Sequence, residues 1–194
     1  MRPTRMTAAL ALAGVMTVLL IVALAALGAS GRGRASGPFG WLRPAMAPTG
    51  WNVARTQGGA ALAYPPGWTP IKTDPGTVSV ALLAGGRRID GYLNATPRQG
   101  TETLADWSRF RPAHNQDEGD RGLRCLAATT TARFRSGRGA CVIDTYTTSK
   151  ASYHEIACLV SGGGSSAVVV AAAPTALWNQ QARTLERAVS SFAA

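Results

Sequence analysis

The hydrophobic pattern of the chain begins with one long apolar run. Ala8 to Leu27 spans 20 residues, Thr17 is its one clearly polar side chain, and Arg2 and Arg5 lie just ahead of it. A run of this length and hydropathy is enough to cross the hydrocarbon core of a bilayer. The pattern therefore predicts a short basic cytoplasmic head at residues 1–7 and a transmembrane signal anchor at residues 8–27.

A cleaved export signal is the alternative to an anchor. Ala26-Leu27-Gly28 and Gly28-Ala29-Ser30 both have the small-x-small form of a cleavage site. The run is longer than the apolar part of an ordinary cleaved signal, which favours retention. We therefore expect a single-pass protein of the cell membrane with its C-terminal part outside, and cleavage would instead release a secreted protein.

Residues 28–58 follow with a different composition. They are rich in Gly, Pro, Ala, Ser and Arg and show no apolar period of two or of 3.6. Such a segment is typical of a flexible tether. The remaining residues 59–194 are enough for one extracytoplasmic domain with one core.

Alternating apolar and polar positions predict a sheet in this domain. Short Gly or Ser turns connect the alternating segments, which implies antiparallel pairing. Ala167 to Ala173 is apolar on both faces, so it should lie at the centre of the sheet with cover on each side. The six predicted strands are Thr77–Leu83, Arg88–Thr96, Leu123–Arg135, Ala140–Thr147, Tyr153–Ser161 and Ser166–Ala173.

Two segments have a helical period. Thr103 to Arg111 reads as a short helix with Thr103 and Asp106 in capping positions, and Pro112 should block its continuation. The second helix follows Pro174, with Thr175 as its cap. Its apolar stripe consists of Trp178, Ala182, Leu185, Val189 and Phe192, and we expect this stripe to pack on the core, with a membrane-surface helix as the alternative.

The order of these segments is similar to that of a known family. An opening strand that runs into Tyr64-Pro65-Pro66-Gly67-Trp68, the helix with Leu104 and Trp107, the hairpins between, and the closing helix from Trp178 to Phe192 resemble the PsbP-like family. That family includes LpqN-type envelope proteins of actinobacteria and Mog-type relatives. The resemblance covers about residues 57 to 194. It implies an α+β fold, an α/β/α sandwich around a central antiparallel sheet, and it implies no activity, since a shared fold does not transfer a function.

The charge of the chain is concentrated near its N-terminus. The formal net charge is +10, but six arginines and no acidic residue lie in residues 1–55. The domain itself therefore has only a modest positive surplus. No aromatic interleaving or binding motif accompanies it, which argues against nucleic acid as a partner.

One cluster of cations flanks a predicted turn. Arg133, Arg135 and Arg138 surround Gly137 and could touch anionic lipid headgroups or acidic wall polymers. Ordinary solubilising charge is the alternative. The predicted partners are thus the membrane through residues 8–27 and another envelope protein or an anionic envelope polymer.

Strand parity predicts a disulfide among the three cysteines. The hairpin around Ser149 and Lys150 places Cys141 opposite Cys158, close enough for a bridge. We expect Cys125 to point to the other face. Three small buried thiols in a reduced protein are the alternative.

The sequence contains no recognisable catalytic, cofactor or metal motif, so we assign no catalytic residue, no cofactor and no metal. The two imidazoles, His114 and His154, lie outside any such motif. The leading hypothesis is a non-catalytic, membrane-tethered binding or adaptor domain. The alternatives are a small hydrolase-type envelope enzyme that uses His114 or His154, and a structural subunit of a membrane complex whose contacts come from the anchor helix.

Overall fold

The computed structural model describes residues 37–85 and 87–194. The chain divides into two units, residues 1–40 and residues 41–194. The predicted head, the anchor at residues 8–27 and the first part of the tether lie outside the described residues. Within the described residues, neither helix has the length and hydropathy that a membrane crossing needs.

The unit from residue 41 onward is mostly antiparallel sheet with two helices, an α+β fold. The helices are α1 (Trp107–Asp117) and α2 (Trp178–Ser191), and a 3₁₀ turn (Thr175–Leu177) precedes α2. The strands are β1 (Asn52–Arg55), β2 (Ala61–Tyr64), β3 (Thr69–Pro70), β4 (Val78–Ala84), β5 (Arg88–Pro97), β6 (Arg121–Arg133), β7 (Arg138–Thr147), β8 (Ser152–Gly162) and β9 (Ser165–Pro174).

The strands form a pair, β1 with β2, and a seven-stranded sheet in the order β3-β4-β5-β9-β8-β7-β6. All six strands expected from the alternation are present within two residues of their predicted ends. The doubly apolar strand β9 lies fourth of seven, at the centre of the sheet, as its composition requires. The opening strand expected to run into Tyr64 is β2, whereas the short strands β1 and β3 show too little alternation to be predicted individually.

The two helices lie on opposite faces of this sheet. Trp107 of α1 belongs to a buried cluster with Ala157 and Leu159 of β8. Trp178 of α2 stacks on His154 of β8, with ring centroids 3.7 Å apart. Because successive residues of a strand point to opposite faces, odd-numbered residues of β8 face α1 and even-numbered residues face α2.

The first helix begins and ends later than predicted, at Trp107 and Asp117 rather than at Thr103 and Arg111. The Thr103 N–H donates to Asp106 Oδ1 at 2.6 Å and the Asp106 N–H donates to Thr103 Oγ1 at 3.3 Å, but this reciprocal pair lies in the turn before α1. Asp106 holds the N-cap position of α1 without a side-chain cap bond, so the two residues do not cap the helix as expected. The helix then runs through Pro112 to Asp117, so the expected stop at Pro112 is wrong. Contacts with the sheet outweigh the lost backbone bond, since Trp107 Nε1 donates to the Ala157 carbonyl at 3.0 Å and Arg111 bonds to β8.

The second helix begins later than expected. Thr175 lies in the 3₁₀ turn, and Leu177 holds the N-cap position of α2 without a side-chain cap bond, so Thr175 is not its cap. The apolar stripe does face the sheet, because Leu185, Val189 and Phe192 are fully buried. Burial of this stripe, at roughly 25 cal/mol per Å², holds the helix in place.

The last part of the predicted tether is ordered in the domain. Residues 41–58 belong to the compact unit, Leu42 is buried, and the Ala45 N–H donates to the Ser190 carbonyl at 3.1 Å. Residues 52–55 form strand β1 against β2. The domain therefore begins near Trp41 rather than at residue 59, because an edge hairpin and a single buried Leu give too weak a periodic signal in the sequence.

A disulfide joins Cys141 of β7 to Cys158 of β8. The two residues are direct partners in the strand register, and both are fully buried on the face covered by α2. Cys125 is free and exposed, opposite Asp144 and therefore on the other face. Cys125 reaches that face through a bulge: Thr129 lies opposite Cys141, and the register shift between Cys125 and Ala127 reverses the parity.

The disulfide should be a measurable part of the stability. Replacing both Cys141 and Cys158 by Ala should lower the free energy of unfolding by about 3 kcal/mol, because the bridge restricts the unfolded chain across a separation of 17 residues. Reduction of the unaltered protein should give a similar loss, and Cys125→Ala should give none. Chemical denaturation measures these differences. Free thiols at both positions in non-reducing peptide mass mapping would refute the bridge.

Candidate functional site

A polar cleft opens on the α1 side of the sheet. Its volume is about 300 Å³, and its walls come from the β3–β4 loop, strand β5 and helix α1. Hydroxyl, amide and carboxylate groups line most of it, with Val168 and Val170 of β9 as the apolar floor. Its polar lining residues include Thr73, Asp74, Tyr92, Asn94, Arg111, His114, Tyr146 and Glu155.

A buried ion pair forms the inner wall of the cleft. Arg111 binds Glu155 through two bonds, with Nε to Oε1 at 2.7 Å and Nη2 to Oε2 at 2.9 Å. The Tyr146 hydroxyl donates to Glu155 Oε2 at 3.2 Å. Burial and the charge of Glu155 raise the pKa of Tyr146 well above its usual value, so this hydroxyl stays a donor. Glu155 itself is completely buried, and its three donors compensate its charge.

A second carboxyl group lies in the same layer without such compensation. Asp144 is completely buried on β7, and neither of its oxygens has a hydrogen-bond partner among the described residues. Burial raises its pKa from 3.8 to about 7, and the nearby charge of Glu155 adds to the shift while Arg111 opposes it. Burial likewise raises the pKa of Asp120. Asp144 therefore keeps its proton to a higher pH than an exposed aspartate does.

The opposite wall of the cleft is a fixed network of neutral groups. Ser79 Oγ donates to Thr73 Oγ1 at 3.1 Å and lies 3.2 Å from the Tyr92 hydroxyl. Asn94 Nδ2 donates to Ser79 Oγ at 2.9 Å. These bonds hold the Tyr92 and Asn94 side chains in position beside the opening. The cleft therefore has a neutral polar wall facing a charged one.

The two histidines lie in different places. His114 lines the cleft, and its Nε2 is 3.6 Å from Oε1 of Glu118, the C-cap residue of α1, with both side chains exposed. His154 is on the α2 face under Trp178, and burial lowers its pKa. The described residues that line the cleft include no serine or cysteine. His114 thus has a nearby acid, but the lining provides no adjacent Ser or Cys nucleophile.

The remaining thiol is not activated. Cys125 is exposed at the edge strand β6, and burial of its sulfur, together with the charge of Asp144, raises its thiol pKa. A reactive cysteine needs the opposite shift. Cys125 is therefore a poor candidate nucleophile.

The three arginines singled out in the sequence are brought together at one turn. Arg133 ends β6, Arg138 begins β7, and the register places them directly opposite each other, with Arg135 in the turn between. All three side chains are exposed. The ring of Phe134 anchors the turn over Gly139, where an added Cβ would lie 2.5 Å from the ring. We call Arg133, Arg135 and Arg138 the arginine tip.

Sequence reasoning missed the buried charges of the cleft. Glu155 shares the parity of Ala157 and Leu159 on an otherwise apolar strand, and Asp144 shares that of Val142. Alternation places both residues in the core. A buried carboxylate needs a cation or hydrogen-bond donors beside it, so both positions were a signal of a buried polar contact. The partner Arg111 was not predictable, because its helix was expected to end there.

Comparison with solved structures identifies the fold. The solution structure of cyanobacterial PsbP (CyanoP) from Synechocystis sp. PCC 6803 matches with a TM-score of 0.55 and 19% identity, over 76% of this chain and 93% of that chain. The crystal structure of LpqN, involved in cell envelope biogenesis of Mycobacterium tuberculosis, gives a TM-score of 0.42 and 11% identity, over 74% and 89%. No protein-family profile and no curated protein matches the sequence. The chain has a PsbP-like fold, which confirms the expectation from its sequence.

Asp144 should make stability depend on pH. An acid whose pKa is raised on folding binds more protons in the folded state, so its contribution is lost as the pH rises from about 4 through about 7. Asp144→Asn removes this penalty. The free energy of unfolding of the variant, relative to that of the wild type, should therefore rise by about 2–4 kcal/mol from pH 4 to pH 8. Denaturant unfolding at both pH values measures the gain.

The exposed Asp117 on α1 supplies the matched control for this prediction. Asp117→Asn should leave the difference between pH 4 and pH 8 unchanged. A stability difference for Asp144→Asn that is the same at both pH values would show that the carboxyl does not titrate in this range.

Proposed function

We propose that this PsbP-like domain is a non-catalytic accessory module of the cell envelope. In this proposal residues 8–27 hold it on the outer side of the membrane, and the arginine tip contacts an anionic surface there. The proposed anionic contact is supported by one observation. Two exposed arginines, Arg133 and Arg138, lie directly opposite each other near the start of the compact unit.

Directly opposed like charges on neighbouring strands repel each other. Arg133 and Arg138 form such a pair, and within residues 37–85 and 87–194 no carboxylate makes an ion pair with either of them or with Arg135. An anion between them removes the repulsion and accepts hydrogen bonds from both guanidinium groups. The arrangement supports anion contact over ordinary solubilising charge, which would favour separated positions.

The position of the tip supports the membrane as the anionic surface. Ala194 N–H donates to Ser136 Oγ in the turn of the tip, at 3.0 Å, which places the end of the chain beside it. The Ala45 N–H donates to the Ser190 carbonyl in the last turn of α2, so the start of the compact unit lies near the same end. Juxtamembrane cations gain about 1 kcal/mol each from an anionic bilayer surface.

The disulfide supports an extracytoplasmic location. Such bonds persist in oxidising compartments and are rare in the reducing cytosol. Cys141 and Cys158 lie opposite each other in the interior, where their bridge crosslinks β7 and β8, two neighbouring strands on one side of the central strand β9. The compartment inferred from the disulfide agrees with the orientation inferred from residues 1–27.

The alternative enzyme function has one favourable observation, the position of His114 in the polar cleft near Glu118. Both residues are on one exposed helix turn, and the buried carboxylate of Glu155 is already held by Arg111 and Tyr146. A general base needs an oriented partner and a positioned nucleophile. These contacts support a binding role for the cleft more than a hydrolytic one.

Hydrogen exchange of the full-length protein in nanodiscs tests the proposed contact. Amide exchange in residues 134–138 should be several-fold slower in nanodiscs with anionic phosphatidylglycerol than in neutral phosphatidylcholine nanodiscs. Replacing Arg133, Arg135 and Arg138 together by Gln should abolish the difference, because the headgroup contacts are lost. Raising the salt concentration should weaken it in the unaltered protein.

The matched control uses two arginines at the other end of β6. Arg121→Gln with Arg124→Gln removes two exposed cations of the same strand and should leave the lipid-dependent difference in place. Equal exchange in both lipids, or an equal effect of the control variant, would contradict the proposal.

A further inference from the structure

A groove lies at the opposite end of the sheet from the arginine tip. It consists of two adjoining cavities of about 440 and 340 Å³, which share Ile89, Lys150 and Tyr153 as lining residues. Each has the size of a small-molecule site. We call it the hairpin groove and define it by Arg87, Ile89, Tyr146, Lys150, Tyr153 and Leu177.

The strand pattern explains why the sheet is open at this point. Strand β9 pairs with β5 only from Pro97 to Tyr92, and with β8 as far as Tyr153. Beyond Pro174 the chain leaves the sheet in the 3₁₀ turn. The first residues of β5 therefore have no strand on that side, and the β4–β5 and β7–β8 hairpins project on either side of the gap.

The inside of the hairpin groove is apolar and aromatic. The rings of Tyr146 and Tyr153 stack with centroids 5.8 Å apart and form part of one wall. Ile89 contributes from β5 and Leu177 from the 3₁₀ turn. These side chains are only half-buried, although Ile156 and Leu93 in the sheet are completely buried. A bound apolar group would complete their burial.

Two cations without carboxylate partners stand at the mouth. Arg87 comes from the β4–β5 hairpin and Lys150 from the β7–β8 hairpin. Within the described part of the chain neither makes an ion pair, whereas their neighbour Arg88 binds Asp90 at 2.8 Å. No carboxylate is among the described residues that line the two cavities. The mouth therefore has a net positive charge over an apolar interior.

We infer that the hairpin groove binds a small amphiphilic anion. The acid group lies between Arg87 and Lys150, and the apolar or aromatic body contacts Ile89, Tyr153 and Leu177. Charge complementarity selects the acid group, since a neutral group of the same size would leave both cations without a partner. This site is separate from the arginine tip and requires no membrane contact.

Calorimetric titration of the full-length protein in neutral nanodiscs tests the inference, with empty nanodiscs as the reference. The probes are naphthalene-2-sulfonate and the uncharged 2-naphthalenemethanol, which share one aromatic body. The sulfonate should bind more tightly than the alcohol. Lys150→Met and Arg87→Met should each weaken sulfonate binding about tenfold and leave binding of the alcohol unchanged, because only the acid group meets the cations.

The chain offers a matched control, because Lys72 is the other lysine and lies outside both cavities. Lys72→Met should leave the affinity for both probes unchanged. Leu177→Ser should weaken both probes, since it removes part of the apolar wall. Circular dichroism should show unchanged folding of the rim variants, in which only exposed side chains differ.

Three outcomes would overturn the inference: no binding of the sulfonate to the wild type, equal affinity for the two probes, or an equal loss with Lys72→Met. Each would leave the proposal for the arginine tip untouched. Conversely, loss of lipid-dependent exchange at the tip would not change the titration result, so the two proposals fail separately.

Discussion

The fold depends on strands β8 and β9 being buried on both faces at the centre of the sheet. With helices on the two sides, neighbouring residues of one strand lie in different layers. Glu155 faces α1 and the cleft, Ile156 and Cys158 face α2, and His154 reaches Trp178 on that same side. A shift of the register by one residue would exchange these layers, bury Glu155 under α2 away from Arg111 and separate the cysteines. The disulfide joins Cys141 to Cys158 because the two residues are direct partners in that register.

The charged residues of the α1 layer are costly to bury, and this cost fixes the helix. A buried ion pair adds little net stability, yet removing one partner leaves an uncompensated charge that costs about 3–5 kcal/mol. Arg111 must therefore remain over Glu155, and the helix is held on the sheet beyond Pro112 as well, where Asn115 is buried. The Arg111–Glu155 pair, together with the bond from Trp107 Nε1 to the Ala157 carbonyl, therefore fixes the position of α1 on the sheet. The cleft is the space that this placement leaves between α1 and β5.

The sequence predicts the secondary structure correctly where the periodicity of apolar residues is strong. The central strands, the position of β9 and the stripe of α2 follow from alternation and from the apolar repeat alone. The start of the domain does not follow from the sequence, because Ala45 and the β1–β2 pair are held by backbone bonds to the distant residues Ser190 and Ala193. The position of α1 does not follow from the sequence either. The tendency of Pro112 to end a helix competes there with the ion pair between Arg111 and Glu155, which are 44 residues apart. The cleft depends on the long-range pair of Arg111 and Glu155. The arginine tip depends only on one turn, so the sequence already shows it as three arginines close together.

The two proposed contact regions lie at opposite ends of α2. The helix begins just after Leu177 at the hairpin groove and ends beside Ser190, which bonds Ala45 near the arginine tip. Its 14 residues separate these ends by about 21 Å, at 1.5 Å per residue. If the tip faces the bilayer, the groove opens toward the aqueous side, beyond the Debye length of the membrane charge. A ligand of the groove then arrives through water, which favours an anion whose apolar body is small enough to be soluble. In these proposals, the charge at the mouth of the groove would select such a ligand in solution, while the charge at the tip would select the surface that the domain contacts.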